Sequence, residues 1–260
     1  MTVRLAHLSD IHFGGENKDA VAAVAAWIVE HRPDLAVITG DVTREGAPTE
    51  FTAAKAWINS LAAPSLVVPG NHDTPYFSLA KRLFTPWKRY ERHFGPIPEQ
   101  AHRRPGIAIA SVNTARGAQL RRNWSKGAIA DRQVTGAIEA LSSAPAGALK
   151  IVACHHPLVE MIGGPMSGEV HGGHEAAVAF SEAHVDLVLT GHVHAPFALP
   201  YPGGDGKTWA VGASTLSVRE RGAPIGFNCI QIEPGCVTVT AQAWTGSHFE
   251  PWRTWTIDRR

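Results

Sequence analysis

Short apolar runs that are followed by Asp, His or Asn recur along this chain. Each run has the length and composition of a buried β-strand. The runs are Val3–Leu8, Leu35–Ile38, Leu66–Val68, Ile151–Ala153 and Val185–Leu189. The polar strings that follow them are Asp10-Ile11-His12, Gly40-Asp41, Gly70-Asn71-His72-Asp73, His155-His156-Pro157 and Gly191-His192-Val193-His194. In an open α/β sheet the carboxyl ends of the strands form the ligand-binding edge, so we expect the strings to meet there.

Helical patterns separate the strands of the first half. Ala20–Glu30 and Thr49–Leu61 lie between the first three runs, and this alternation predicts βαβ units with a parallel, buried sheet. A further strand is predicted over Ile107–Val112. Helices are predicted over Asp131–Leu141, with Asp131 as the N-cap, and over His174–Ala183.

Residues 74–105 break this alternation. Seven Lys and Arg residues and only two Glu residues surround aromatic side chains that include Tyr76, Phe77, Trp87, Tyr90 and Phe94. Two short helices are predicted, Ser78–Phe84 and Trp87–His93, interrupted at Pro86. The segment is either an amphipathic piece that packs on the core or an insertion that recognises substrate, in which case Arg89 and Arg92 are candidate phosphate contacts. Met161–Gly173 is Gly-rich and is predicted to be a loop.

The last quarter of the chain has a different pattern. Four short strands are predicted, at Thr208–Val211, Phe227–Ile232, Val237–Ala243 and Thr254–Ile257. They suggest a second, mainly antiparallel sheet, and we expect one α/β domain, residues 1–260, of two packed sheets flanked by helices. Three tryptophans of this tail belong either to the core or to an oligomer interface, which leaves a homo-oligomer open: Trp244, Trp252 and Trp255.

Composition excludes several classes of partner. The net charge is +1 with His neutral, so no global field attracts nucleic acid or an anionic membrane, and a nuclease is disfavoured. No apolar run is long enough to span a bilayer, and no basic n-region with an apolar h-region marks a signal peptide. The three cysteines are an odd number at no zinc-like spacing. We therefore expect a cytoplasmic protein that acts on a small molecule.

The ligand types in the strings point to metal ions. Carboxylate, imidazole and amide oxygen suit Zn, Fe, Mn or Co. If the strands continue, Asp10 and His12 point the same way, as do His192 and His194. Together with Asp41, Asn71 and His155, these side chains exceed the needs of one ion. They favour two metal ions that share a carboxylate, an arrangement suited to in-line attack on phosphorus.

With all five strings present in order between Asp10 and His194, the chain resembles the calcineurin-like metallophosphoesterase superfamily. That superfamily includes purple acid phosphatases and bacterial class III cyclic-nucleotide phosphodiesterases. The resemblance implies a four-layer αββα sandwich of two mixed sheets and a pair of divalent or trivalent transition-metal ions. It implies that one ion is held by Asp10, His12, Asp41 and His194, and the other by Asp41, Asn71, His155 and His192.

The resemblance also implies the roles of two catalytic residues. Asp41 would bridge the two ions, and His72 would lie beside the leaving-group oxygen as an acid or a phosphate contact. The nucleophile would be a metal-bridging hydroxide. The pattern is closest to bacterial cyclic-nucleotide and glycerophosphodiester phosphodiesterases, so a small organic phosphodiester is the expected substrate. The alternatives are a phosphomonoesterase on the same site, or a non-catalytic scaffold, which the retention of His72 and of all the ligand residues argues against.

Other polar residues have two interpretations each. Asn113 either binds substrate or forms a turn. His171 and His174 either line the pocket or are solvated. Asp73 either orients His72 or caps the next turn, and His156 either supports the site or simply packs. The glycines of the strings are expected to permit tight turns that let backbone approach the ions: Gly40, Gly70 and Gly191.

Overall fold

Two six-stranded sheets organise the computed structural model, which describes residues 2–97, 101–120, 123–160, 170–202 and 204–260. The strands are β1 (Val3–Leu8), β2 (Leu35–Thr39), β3 (Ser65–Val68), β4 (Ala101–Arg104), β5 (Ile107–Ser111), β6 (Leu149–Ala153), β7 (Leu187–Thr190), β8 (Phe197–Pro200), β9 (Trp209–Gly212), β10 (Gly226–Ile232), β11 (Cys236–Trp244) and β12 (Phe249–Asp258). The helices are α1 (Lys18–His31), α2 (Pro48–Ser60), α3 (Leu79–Phe84), α4 (Lys88–Phe94), α5 (Asp131–Ser142) and α6 (Gly173–Glu182). Of the predicted loop Met161–Gly173, residues 161–169 lie outside the described ranges.

The sheet topology corrects one expectation about the tail. The first sheet has the order β12-β11-β10-β1-β2-β3, in which β1, β2 and β3 are parallel and β10 runs antiparallel to β1. The second sheet has the order β4-β5-β6-β7-β9-β8, and β9 runs parallel to β7. A separate antiparallel tail sheet was therefore the wrong expectation. Strand β1 has a free edge after pairing with β2, and the tail strands fill that edge.

Three apolar clusters fill the three interfaces of a four-layer structure. Side chains of both sheets, such as Leu35 and Ile151, form the middle cluster. Helices α1, α2 and α4 cover the outer face of the first sheet through residues such as Ile28 and Phe51. Helices α5 and α6 cover the outer face of the second sheet, where Phe180 is fully buried. The predicted α/β class and the αββα sandwich are thereby confirmed.

Residues 74–105 divide into a packed part and an exposed part. Helix α4 packs on the first sheet through Tyr90, which is buried and donates its hydroxyl hydrogen to the Val67 carbonyl at 2.9 Å. Helix α3 buries none of its residues, and Tyr76 just before it is 56% exposed. The break at Pro86 separates the two helices as predicted. The aromatic content of the segment therefore serves packing in α4 and is exposed around α3.

Three local details differ from the sequence expectations. Strands β4 and β8 were not predicted. Each is a four-residue strand at an edge of the second sheet and pairs antiparallel with a single neighbour, so its sequence has no long apolar run. The N-cap of α5 is Ala130, and Asp131 is the first helical residue. The Gln133 side chain accepts a hydrogen bond from the Ala130 amide at 3.2 Å, so the helix begins one residue earlier than its acidic residue suggests.

Within the described ranges, no helix has both the length and the apolar character needed to cross a lipid bilayer. The three cysteines are free thiols, and Cys154 is buried in the apolar cluster beneath α5 and α6. A cytoplasmic location stays a prediction.

The packing of α4 gives a stability prediction. Replacing Tyr90 with Ala should lower the free energy of unfolding by about 3–5 kcal/mol, the usual cost of removing a buried aromatic side chain. The matched control, Tyr76→Ala, removes an exposed ring and should change it by about 0.5 kcal/mol or less. Urea denaturation of both variants at equal metal content measures the two effects. A similar midpoint for Tyr90→Ala and the parent chain would contradict the packing role of α4.

Candidate metal centre

The strand ends that carry the polar strings leave the sheet in the left-handed backbone conformation. Seven non-glycine residues of the described ranges have positive φ, and five of them belong to the predicted ligand set: Asp10, His12, Asp41, His192 and His194. Asp10 and His12 do face the same site, as expected, but the alternation of side chains along a strand is not the reason. Strand β1 ends at Leu8, and the left-handed turns aim both side chains inward. Such strain is found where surrounding contacts enforce it, often at functional sites.

One group of side chains surrounds the Asp10 carboxylate. Oδ1 of Asp10 lies 3.1 Å from Nε2 of His194 and 3.7 Å from Nε2 of His12. Those two imidazole nitrogens are 3.3 Å apart. The other carboxylate oxygen, Oδ2, accepts hydrogen bonds from the Ser9 hydroxyl at 2.6 Å and from the His192 amide at 2.8 Å. Protein donors thus hold one oxygen of Asp10 and leave the other for the site.

Asp41 has the same division of its two oxygens. Oδ1 accepts a hydrogen bond from the His72 amide at 2.8 Å. Oδ2 lies 3.2 Å from Nε2 of His155 and 3.9 Å from Nε2 of His12. It therefore faces both the group around Asp10 and a second group that contains His155. The ring of His192 lies 5.3 Å from that of His155, between ring centroids.

Buried polar atoms without a hydrogen-bond partner concentrate at this site. Of the six such side-chain atoms in the described ranges, three belong to predicted ligands: Asp10 Oδ1, Asn71 Oδ1 and His155 Nε2. A buried polar group without a partner is costly, and a cation would satisfy all three. Four sets of His and Asp side chains here bring potential ligand atoms within 4.8 Å of one another. The residues present therefore fit transition-metal ions, as expected of buried His and Asp clusters in a dimetal site.

Hydrogen bonds also fix which ring nitrogen can bind a cation. Nδ1 of His155 lies 2.7 Å from the Thr39 carbonyl, and Nδ1 of His194 lies 2.7 Å from the Arg219 carbonyl. Because a carbonyl only accepts, each Nδ1 is the protonated nitrogen. Each Nε2 is therefore left for a metal ion, the arrangement usual for ligating histidines.

The site balances its own charges. Burial would lower the pKa of His155, but the Asp41 and Asp10 carboxylates raise it to about 9. Burial lowers the pKa of His12 to about 4, and burial together with charged His155 lowers that of His192 to about 3. Neutral imidazole is the ligand form, so His12 and His192 are already in it at pH 7. His155 holds a proton where a cation would bind, so metal ions and protons compete there.

Two glycines allow the strand-end loops to approach each other. A Cβ atom on Gly70 would lie 2.2 Å from Asp41 Oδ1, and one on Gly191 would lie 1.7 Å from Ser9 Oγ. These glycines therefore allow one loop with candidate ligands to approach the next, and the expected approach of backbone to the ions stays a prediction.

His72 and Asp73 have distinct positions. Nδ1 of His72 donates to the Arg44 carbonyl at 2.6 Å, and its ring lies edge-on to that of His12 with centroids 4.8 Å apart. Asp73 is fully buried and accepts hydrogen bonds from the Gly70 amide and from the amide and hydroxyl of Thr43. Burial and the nearby Asp41 raise the pKa of Asp73 to about 6. Asp73 therefore joins two loops rather than orienting the His72 ring.

His156 supports a neighbouring loop. Its Nδ1 lies 2.9 Å from the Thr114 hydroxyl and its Nε2 lies 2.8 Å from the Ser125 carbonyl. Its ring also lies 4.5 Å from that of His192, between centroids. Both ring nitrogens are thus engaged by protein groups, which is the supporting role that the sequence left open.

Two cavities adjoin the candidate metal centre. The larger, about 560 Å³, is lined by His12, Arg44, Tyr76, Ser217 and Val218, among others. The smaller, about 360 Å³, is lined by Asp41, Asn71, Asn123, Ser125, Lys126, His192, His194 and Arg221. His72 and Arg219 line both cavities.

The sequence reasoning missed the cavity residues that follow β9. Ser217, Val218, Arg219 and Arg221 come after this strand, which is parallel to β7 and so ends at the same edge of the sheet. The signal that could have found them is the polar stretch after Gly212. Its meaning depends on knowing that Thr208–Val211 marks a parallel strand.

The predicted substrate contacts lie elsewhere. Nη1 of Arg89 donates to the Gly46 carbonyl at 2.5 Å, and Arg92 is exposed on α4. Oδ1 of Asn113 accepts a hydrogen bond from the Ala115 amide at 2.9 Å, which is the turn-forming alternative. His171 and His174 line a different cavity. None of these residues lines either cavity at the metal centre, so their part in substrate binding stays a prediction without a supporting contact.

Comparison with known proteins agrees with this geometry. Residues 3–196 match the family model described as calcineurin-like phosphoesterase. A protein of Synechococcus sp. named as a probable cyclic nucleotide phosphodiesterase is 23% identical over 250 residues, covering 90% of this chain and 89% of that protein. The glycerophosphodiester phosphodiesterase GpdQ of Enterobacter lignolyticus is 36% identical over 80 residues, covering 26% of this chain and 29% of that one.

The fold is also similar to that of a solved phosphatase structure. The crystal structure of a dimetal phosphatase from Danio rerio superposes with a TM-score of 0.72 at 11% identity, covering 99% of both chains. That likeness extends over both sheets, and the matched family model spans all the strings from Asp10 to His194. The chain therefore belongs to the calcineurin-like phosphoesterase family.

Proposed function

We propose that this chain is a dinuclear metal-dependent phosphodiesterase that hydrolyses a small organic phosphodiester. The observation that carries the proposal is that residues of the candidate metal centre line two cavities. A phosphodiester has an organic arm on each side of its phosphorus. The arrangement offers room for both arms, with His72 and Arg219 at the junction.

The proposed ligand sets follow the two groups described above. Asp10, His12, Asp41 and His194 would hold one ion, and Asp41, Asn71, His155 and His192 the other. Asp41 would be shared, which agrees with the position of its Oδ2 between His12 and His155. Two transition-metal ions, of Mn, Fe, Zn or Co, would supply Lewis acidity and an activated water at neutral pH.

The side chains around the centre supply the remaining chemistry. With Nδ1 of His72 bonded to the Arg44 carbonyl, its Nε2 has no such partner, and in the doubly protonated ring the Nε2 proton would pass to the leaving-group oxygen, leaving neutral imidazole. Arg219 lines both cavities, so its guanidinium would be available to hydrogen-bond the phosphoryl oxygens. Asp10 and Asp41 keep their outer oxygens on backbone amides, which holds the charge of the site in place.

The names of the relatives agree with a diester substrate. Both proteins described above carry the name of a phosphodiesterase, one for cyclic nucleotides and one for glycerophosphodiesters. A phosphomonoesterase would use the same metal ligands but would leave one of the two cavities without a substrate arm.

The first test compares two substrates with the same leaving group. Protein supplemented with Mn²⁺ should hydrolyse ethyl p-nitrophenyl phosphate with a kcat/KM at least about tenfold above that for p-nitrophenyl phosphate, because only the diester places an arm in each cavity. Release of nitrophenolate measures both rates, and protein treated with a chelator is the control. The opposite preference would put the phosphomonoesterase first. Hydrolysis of neither ester by metal-loaded protein would favour the scaffold.

Replacing the shared carboxylate tests the dinuclear arrangement. Asp41→Asn keeps the shape of the side chain but removes the negative charge between the two cations. Metal occupancy should fall at one site or both, and kcat/KM should fall by about two orders of magnitude or more. Elemental analysis and kinetics on the same preparation give both values. Exposed Asp19→Asn is the matched control. Full metal content with unchanged turnover in Asp41→Asn would show that Asp41 is not shared.

Removing the His72 ring separates proton donation from metal binding. His72→Ala should keep the metal content of the parent chain and lower kcat by about 10²–10⁴ for an ester with a poor leaving group such as an alkoxide. The loss should be smaller for a nitrophenyl ester, whose leaving group needs little protonation. Exposed His248→Ala is the control. Equal losses for both esters would instead assign His72 to stabilising charge on the phosphoryl oxygens.

A further inference from the structure

The smaller cavity at the metal centre contains three cations and only one carboxylate. Lys126, Arg219 and Arg221 line it together with Asp41. We propose that this cavity binds a substrate arm that carries its own anionic group, a phosphate or a carboxylate. The inference rests on the proposed function and specifies its substrate as a diester with one anionic arm.

Within the described ranges none of the three cations forms a close ion pair, although the buried Asp10 and Asp41 carboxylates attract Arg221 from the metal centre. Among the ion pairs of the described ranges, none includes Lys126, Arg219 or Arg221. The Arg221 guanidinium donates one hydrogen bond, to the His192 carbonyl at 3.3 Å, which holds it at the rim of the metal centre. Its other N–H groups remain for a ligand. Arginine presents these in a planar fork that matches the oxygens of a carboxylate or a phosphate.

The loops that carry these cations are held in place by buried contacts. His156 bonds the Ser125 carbonyl and so fixes the loop that bears Lys126. A Cβ atom on Gly127 would lie 2.7 Å from the His156 ring, which shows how closely this loop packs on it. On the other side of the cavity, the Arg219 carbonyl accepts a hydrogen bond from His194 at 2.7 Å. Both loops are thus tied to histidines next to or within the candidate metal centre.

Charge counting distinguishes an anionic arm from the phosphoryl group itself. A phosphodiester group carries one negative charge, and the cations at the metal centre would face that charge. Arg219 lies at the junction of the cavities and can also reach the phosphoryl oxygens. Lys126 and Arg221 line only the smaller cavity and add two positive charges beyond Arg219, more than the single charge of a diester with neutral arms would match.

The larger cavity has a different character. Its one further cation, Arg44, already lies 3.6 Å from the Glu45 carboxylate. Tyr76 and Val218 present exposed aromatic and apolar surface there. This side fits an uncharged arm that contains a ring or a short apolar chain. The two cavities therefore discriminate between the two arms of one substrate.

The test uses three diesters that differ only in the retained arm. Propyl, 3-carboxypropyl and 3-phosphonopropyl p-nitrophenyl phosphate share one leaving group, and kcat/KM is measured for each with Mn²⁺-supplemented protein. We expect the two anionic arms to exceed the neutral arm by about tenfold or more at low salt, and the ratio to shrink as ionic strength rises. The carboxylate and phosphonate arms show which of the two anions is preferred.

Variants assign the preference to the cavity. Arg221→Gln and Lys126→Gln should each reduce the ratio of kcat/KM for the anionic esters to that for the propyl ester by about threefold to tenfold, because each removes one cation from the smaller cavity. Arg253→Gln, an exposed arginine on β12 that lines neither cavity, should keep the full preference. Equal losses for neutral and anionic esters in Arg221→Gln would overturn the proposal.

Binding without turnover provides the second readout. Propyl and 3-carboxypropyl methylphosphonate imitate the two types of diester and have no good leaving group, so calorimetry gives their Kd values directly. Tighter binding of the anionic analogue by about tenfold, lost in Arg221→Gln, supports the subsite. Equal Kd values in the parent chain overturn it. If all three esters are hydrolysed but the Kd values are equal, the proposed phosphodiesterase activity is supported and only the anionic subsite is contradicted. If the Kd values differ but no ester is hydrolysed, only the proposed function is contradicted.

Discussion

Each of the two buried carboxylates of the site holds a backbone amide of another segment with one oxygen. Asp10 binds the His192 amide and Asp41 binds the His72 amide. The Asp10 bond joins the first sheet to the second, because His192 follows β7. The second oxygen of each carboxylate is thereby turned toward the imidazoles. The same hydrogen bonds therefore set the spacing of the ligand-bearing loops and the direction of the charges between them.

The left-handed turns at the strand ends add to this constraint. A non-glycine residue in that conformation costs about 1–2 kcal/mol, and five candidate ligands adopt it. Asp73 supports one such turn, because its carboxylate fastens the loop after β2 to the loop after β3. A network of hydrogen bonds thus holds the strained turns, and removing one of its side chains would weaken the contacts that hold the others. A rigid array of this kind keeps like-charged groups close together before any cation arrives.

The sequence predicted the elements and residues that depend on local patterns. The bounds of β1 agree with the apolar run Val3–Leu8, and the strings after the strands contain the residues that converge at the site. It could not predict pairings between distant segments, such as β1 with β10, because every apolar strand is a suitable partner for another. It also offered Arg89 as a candidate phosphate contact, and the structure shows one nitrogen of its guanidinium bonded to the Gly46 carbonyl, away from both cavities at the metal centre. The sequence alone does not show where the charged end of a long side chain lies.

The position of β1 between β2 and β10 has a consequence for how the protein is made. The Asp10 carbonyl accepts hydrogen bonds from the Leu216 amide and the Thr215 hydroxyl, and β1 pairs with residues up to Ile232. A ribosome releases Asp10 and His12 long before these partners emerge. Until then one edge of β1 is open, and the first candidate ligands have no fixed geometry. The candidate ligands after β1 are therefore brought into register with the rest of the site only late in synthesis.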